Sequence, residues 1–110
     1  MALALNVFKT VTAVVSLSET VIYTAPVGYS SVVLLAQVAN VGATSEDVSL
    51  TYRRGATDTE LLKQYPISSN DTANLLSGKL VLESGDKLVL SGSDASNLKF
   101  TSSILETLNW

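Results

Sequence analysis

Period-two alternation of apolar and polar residues dominates this chain and constrains its fold more than any other feature. Val48, Leu50 and Tyr52 alternate with polar residues, the pattern of a strand with one face in a core and one in water. Residues 32–38 are apolar on both faces, which indicates a central strand. No segment longer than two turns carries an apolar stripe at helical spacing. The pattern therefore predicts an all-β chain.

Turn residues separate these runs at short spacing, as in a sandwich and unlike βαβ units. Pro26 and Gly28 form one turn, and residues 83–86 predict a tight hairpin with Gly85 in the left-handed region. We predict an antiparallel two-sheet β-sandwich, jelly-roll or immunoglobulin-like, with about eight strands. The expected strands lie near residues 5–15, 20–23, 30–40, 47–53, 60–65, 74–76, 79–90 as a hairpin, and 98–108.

A length of 110 residues suits one domain with its own core. We assign residues 19–110 to a single β-sandwich domain and residues 1–18 to an N-terminal arm or first strand. Lys9 interrupts the apolar N-terminal stretch, so we expect neither a processed signal nor a membrane span. The predicted core consists of Val32, Leu34, Ala36, Val38, Leu50, Tyr52, Leu80, Leu82, Leu88, Leu90, Phe100 and Ile104.

The absence of His and Cys removes the commonest general base, the commonest zinc ligands and the usual nucleophile pairs. Glu46 with Asp47, and Asp58 with Glu60, lie in or beside predicted turns, where carboxylates are normally solvated. A small hydrolase would instead need a carboxylate pair with one member desolvated. No segment shows the acidic spacing of a calcium loop. We therefore predict no catalytic residue, no cofactor and no metal site.

Two other groups of residues have a functional and a structural interpretation. Asp86 and Lys87 follow Gly85, and we interpret them as part of a turn with a solvated ion pair. The tyrosines could form a platform that stacks on sugar rings, although Tyr52 is in phase with the core. A carbohydrate-binding sandwich would need two or three exposed aromatic side chains on one face. The tyrosines are Tyr23, Tyr29, Tyr52 and Tyr65.

The formal net charge is -3 and no basic cluster extends beyond Arg53 and Arg54, so we expect no nucleic-acid partner. A charged fraction of 15% is low for a solvated surface, which favours partial coverage by copies of the chain or by a partner. Adjacent strand residues point to opposite faces, so one arginine can sit at such a contact. The candidate interface residues are Leu3, Leu5, Val7, Phe8, Arg53, Arg54 and Trp110.

The order of features from residue 20 onward resembles that of small β-rich virion proteins of tailed bacteriophages. The pieces that carry the resemblance are TVIYTAPVGYSSVVLLAQVANV (20–41), VSLTYRR (48–54), KLVLESGDKLVLSG (79–92) and FTSSILE (100–106). Residues 1–18 lie outside it. No catalytic residues come with this resemblance.

The resemblance implies a non-enzymatic virion structural protein, assembled in the host cytoplasm. The first expectation is a capsid decoration or cement protein that docks on the major capsid protein shell and stabilises the head. A neck, tail, baseplate or fibre subunit is the alternative within the virion, and a carbohydrate-binding module is the alternative outside it. As partners we expect a homo-oligomer, trimer or higher, and other virion proteins, with neither nucleic acid nor membrane.

Overall fold

The computed structural model describes residues 6–108, and nine β-strands account for their regular structure. The strands are β1 (Asn6–Val14), β2 (Thr20–Thr24), β3 (Tyr29–Asn40), β4 (Glu46–Arg54), β5 (Thr57–Ile67), β6 (Asp71–Asn74), β7 (Leu80–Leu82), β8 (Lys87–Gly92) and β9 (Leu98–Leu108). Residues 6–108 contain no helix, and hence no helix that could cross a membrane.

The strands form two antiparallel sheets packed face to face. Sheet I has the order β1-β9-β3-β6, with β7 also paired to β3, and sheet II has the order β2-β8-β4-β5. β6 pairs with residues 37–40 of β3 and β7 with residues 31–33, so together they act as one interrupted edge strand. This confirms the predicted all-β sandwich.

The strand order also decides between the two predicted topologies. In an immunoglobulin fold the first two strands are neighbours in one sheet. Here β1 lies in sheet I and β2 in sheet II, and each sheet has four strand positions once β6 and β7 are counted together. That is the eight-strand arrangement of a jelly roll.

The core lies between the sheets and is filled by alternate side chains of each strand. Leu50 and Leu88 point inward from sheet II, and Phe100 and Ile104 from sheet I, each at most 1% exposed. Tyr52 and Leu80 are only half-buried and pack against this cluster. The predicted core residues that are fully buried are Ala36, Val38, Leu50, Leu82, Leu88, Leu90, Phe100 and Ile104.

The prediction that Val32 and Leu34 lie in the core is wrong, because β3 contains a β-bulge. The register with β9 shifts between Val33 and Leu35, so one extra residue reverses the inward phase along β3. Val33 is therefore buried in place of Val32, and Leu34 is 38% exposed. A run that is apolar on both faces contains no signal for this change of phase.

The predicted hairpin over residues 79–90 is also wrong, although its turn is correct. Gly85 has a φ of 85°, and the Asp86 N–H donates to the Glu83 carbonyl at 2.9 Å. The strands that the turn joins, however, lie in different sheets, since β7 pairs with β3 and β8 pairs with β2 and β4. Local turn chemistry reverses the chain without choosing the partner of either strand.

The N-terminal segment is a strand of sheet I over the range that the structure describes. All nine residues of β1 pair with β9, from Asn6 opposite Thr107 to Val14 opposite Lys99. Of the predicted arm or first strand over residues 1–18, residues 6–14 are therefore a first strand. Residues 1–5 lie outside the described range.

The assigned phase of β3 can be tested by comparing the same substitution, leucine to alanine, at a buried and at a partly exposed position. Leu50→Ala should lower the free energy of unfolding by about 2–5 kcal/mol, because Leu50 is fully buried. Leu34→Ala should cost less than about 1 kcal/mol, since the side chain is partly in water. Urea unfolding of both variants measures the difference, and equal losses would contradict the assigned phase of β3.

Candidate interaction surface and buried carboxylates

Asp86, at the turn before β8, is buried rather than solvated as the sequence suggested. Its side chain is 4% exposed and accepts hydrogen bonds from the Tyr52 hydroxyl and from the Glu83 N–H at 2.9 Å. Arg54 adds a two-pronged ion pair, with Nε at 3.0 Å and Nη2 at 2.8 Å. The carboxylate therefore ties the end of β4 to the turn that crosses between the sheets.

The electrostatics of this cluster favour a fixed structural role. The hydrogen bonds from Arg54 are the main reason why the pKa of Asp86 lies well below its usual range, against the opposing effect of burial. Burial, followed by the hydrogen bond to Asp86, raises the pKa of Tyr52. Neither shift moves its group towards neutral pH, where a general acid or base would have to titrate.

Glu106 is a second buried carboxylate, on the inward face of β9. The Tyr23 hydroxyl donates to Glu106 Oε2 at 2.5 Å, and Lys9 Nζ lies 3.3 Å from Oε1. Because the Tyr23 proton is used on Glu106, the Ser31 hydroxyl donates to Tyr23 at 2.7 Å. Burial, then the contact with Glu106, raises the pKa of Tyr23. The cluster links β1, β2, β3 and β9.

The predicted interface arginines do point to opposite faces, and each has ion-pair partners within the chain. Arg53 lies on the outer face of sheet II, with Nε 2.6 Å from Asp58 and Nη2 3.9 Å from Glu19. Arg54 joins the Asp86 cluster and also contacts Glu83 at 2.8 Å. Their role at an intermolecular contact stays a prediction.

The turn carboxylates Glu46 and Asp58 each have polar or charged partners within the chain. Glu46 accepts hydrogen bonds from Thr44 and Ser93, each at 2.7 Å. Asp58 is partly exposed, and its hydrogen bonds with Arg53 lower its pKa. Within residues 6–108 no three acidic side chains are grouped so that they could hold a metal ion.

The sugar platform, the alternative interpretation of the tyrosines, would need two or three exposed aromatic side chains on one face. Tyr23 is buried and Tyr52 belongs to the Asp86 cluster. The exposed aromatic side chains within residues 6–108 are Phe8, 74% exposed on β1, and Tyr65, 45% exposed on β5. They lie in different sheets, so no two of them share a face.

The outer faces of the two sheets differ sharply in charge. Strand alternation and register place five charged residues on the outer face of sheet II: Asp47, Arg53, Asp58, Glu60 and Lys87. We call the outer face of sheet I over β1, β9, β3 and β7 the neutral face. Lys99 is the one charged residue within it, and Lys79, just before β7, lies beside Leu35 at its edge. It consists of Asn6, Phe8, Thr10, Thr12, Val14, Ser30, Val32, Leu35, Gln37, Ala39, Val81, Lys99, Thr101, Ser103, Leu105 and Thr107.

An unbroken apolar row crosses the neutral face. Phe8 lies opposite Leu105, Leu105 opposite Val32, and Val32 opposite Val81, on four adjacent strands. Phe8 is 74% exposed and Val81 54% exposed. Opposed residues of paired strands are side-chain neighbours, so the row is one continuous surface.

Only part of this surface was foreseen from the sequence. Phe8 was a candidate interface residue and is outward, whereas Val7 is half-buried and in phase with the inner face. The outward position of Leu105 follows directly from the predicted phase of β9. The outward position of Val32 could not be predicted, because it depends on the bulge in β3. The candidates Leu3, Leu5 and Trp110 lie outside the described residues.

A shallow notch marks the place where the edge strand of sheet I is interrupted. Leu34, Leu35 and Leu76 line it together with Lys79, between the end of β6 and the start of β7. Asn74 and Ser77 also line the notch, so its wall combines leucine side chains with polar ones.

Comparison with known proteins gives a similarity of fold. The chain is similar to one in a solved structure described as "Bacillus endospore appendages form a novel family of disulfide-linked pili", with a TM-score of 0.56 and 16% identity. The match covers 94% of this chain and 88% of that chain. At this identity the likeness concerns the fold alone. No protein-family model and no curated protein matches the chain.

The Asp86 cluster predicts a specific loss of stability in acid. Because the pKa of Asp86 is lowered by folding, its contribution is complete above the unfolded value of about 4 and is lost as pH falls towards the folded value. Asp86→Asn should cost about 1–3 kcal/mol at pH 7 and flatten the fall of the urea midpoint below about pH 4. Asp71→Asn, which removes an exposed carboxylate, should leave that fall unchanged. Parallel pH profiles for wild type and Asp86→Asn would contradict the assignment.

Proposed function

We propose that the protein is a non-enzymatic structural subunit that acts by assembling in many copies. The first candidate assembly is a bacteriophage virion, formed in the host cytoplasm, in which the protein docks on the shell of the major capsid protein and stabilises the head. The observation that carries the structural role is the neutral face with its exposed apolar row. The choice of a virion rests on the resemblance of residues 20–106 to small virion proteins.

The neutral face supports assembly because solvated antiparallel sheets normally carry polar and charged side chains on the side away from the core. Sheet I also carries polar side chains there, but it has far fewer charged ones than sheet II and it carries the apolar row. An apolar row of this width on a surface with so little charge is typical of a contact with another protein. The two buried carboxylates support the same role, since each holds strands together.

A second candidate is a subunit of an extended appendage, either the neck, tail, baseplate or fibre of a virion, or a filament of the pilus type. The specific observation in its favour is the similarity in fold to the endospore appendage chain over most of both chains. Those pili are described as disulfide-linked, whereas this chain has no cysteine. A filament of this chain would therefore depend on non-covalent contacts. The carbohydrate-binding alternative receives no support from the separated positions of Phe8 and Tyr65.

Deletion of the gene, followed by addition of purified protein, tests the decoration role. Heads without the protein should release DNA at a lower temperature than wild-type heads, because each docked copy contributes buried area to the shell. Added protein should bind at a fixed number of copies and restore the release temperature, as measured by fluorescence of a DNA dye during heating.

Three outcomes would assign the protein differently. Heads of unchanged stability with intact infectivity would reject the cement role. Loss of tails or fibres alone would favour the appendage of a virion. Filaments of the purified protein in negative-stain micrographs, without any shell, would favour the pilus type.

A further inference from the structure

We propose that the neutral face binds a second copy of this chain, with two sheets I packed face to face about a two-fold axis. The inference rests on the proposed assembly role and names the partner of that surface. A two-fold contact closes at two copies. The trimer or higher assembly expected from the sequence would thus need a second contact elsewhere on the molecule.

The distribution of charge selects a second copy over an unlike partner. A surface with one charged residue, Lys99, and one more at its edge, Lys79, offers little electrostatic complement to a highly charged partner, and it can face itself with little like-charge repulsion. Lys99 lies opposite Val14, six residues along β1 from Phe8, or about 20 Å at strand spacing. A two-fold axis across the strands places the two lysines at opposite rims of the contact, where they keep their water.

The relief of the face is complementary to itself. The apolar row is a ridge of large side chains, and the next outward level towards Lys99 has small side chains on β1 and β9, with Thr10 opposite Ser103, and Leu35 on β3. A two-fold axis that runs between the two levels lays Phe8 and Leu105 of each copy over the small side chains of the other, and Val32 against Leu35. Interdigitated side chains of this kind fill the space between packed sheets, which lie about 10 Å apart.

The size of the face is close to what a stable pair needs. Strands of 9, 11, 12 and 3 residues, at about 4.8 Å spacing and about 3.4 Å per residue, give a flat area of about 570 Å². Specific interfaces bury about 600–1,000 Å² of accessible surface on each partner. The pair would thus lie near the lower end of that range.

Sedimentation of matched variants tests the pairing. The full-length wild type should dimerise at micromolar concentration. Phe8→Ser/Val81→Ser removes both exposed ends of the row and should weaken dimerisation by at least about 30-fold, the effect of losing one strong contact residue. Val27→Ser/Val41→Ser removes two apolar side chains, 89% and 56% exposed, outside the neutral face, and should change the dissociation constant by less than about 3-fold. Urea midpoints near that of wild type verify that both variants are folded.

The outcomes distinguish the occupants of the face. A monomeric wild type, or equal dimerisation of both double variants, would overturn the proposal. So would dimers that form only after deletion of residues 2–5, because the chain's own apolar N-terminus would then be the occupant. A trimer that the Phe8→Ser/Val81→Ser variant abolishes would overturn the two-fold packing.

The same samples separate this inference from the proposed function. A monomeric wild type that restores the stability of deletion heads would reject self-pairing and leave the assembly role standing. A dimer that binds neither heads nor tails and forms no filament would confirm the pairing and reject the assembly role.

Discussion

The pairing of β9 with both β1 and β3 is the constraint on which the rest of the sandwich depends. β9 is the last strand in the chain, yet it lies inside sheet I, with nine register pairs to β1 and eleven to β3. The backbone pairing of β1 and β3 is complete only after β9 pairs with both. Most of sheet I therefore consists of contacts between distant parts of the sequence. Such topologies fold slowly, because loop closure precedes the gain from pairing.

The buried carboxylates lie at one end of the sandwich and hold together strands that backbone pairing does not join. Lys9 and Tyr23 meet at Glu106, although β1 and β2 belong to different sheets. Arg54 and the Glu83 N–H meet at Asp86, which connects β4 of sheet II with the turn that leaves sheet I. Within residues 6–108 every buried side-chain nitrogen or oxygen has a hydrogen-bond partner. The hydrogen-bonding capacity of these buried groups is therefore satisfied within the chain.

The molecule is therefore polarised in a way that bears on assembly. Its charged residues lie mainly on sheet II and at the end that holds the two clusters, while the outer face of sheet I is almost free of charge. This separation leaves one broad surface that can be buried at low desolvation cost.

The sequence by itself determined the fold class, the positions of most strands and turns, and the inward phase of β4, β8 and β9, because period-two alternation and turn residues are local properties. It also placed Phe8 among the candidate contact residues. The tertiary structure decided what depends on distant partners. The bulge in β3 exchanged Val32 for Val33 in the core, since pairing with β9 fixes a phase that an apolar run leaves open. Asp86 became buried because Arg54 and Tyr52, more than thirty residues earlier in the chain, fold over it. The apolar row exists only because four strands from separate parts of the chain stand in one register, and no local pattern specifies that register.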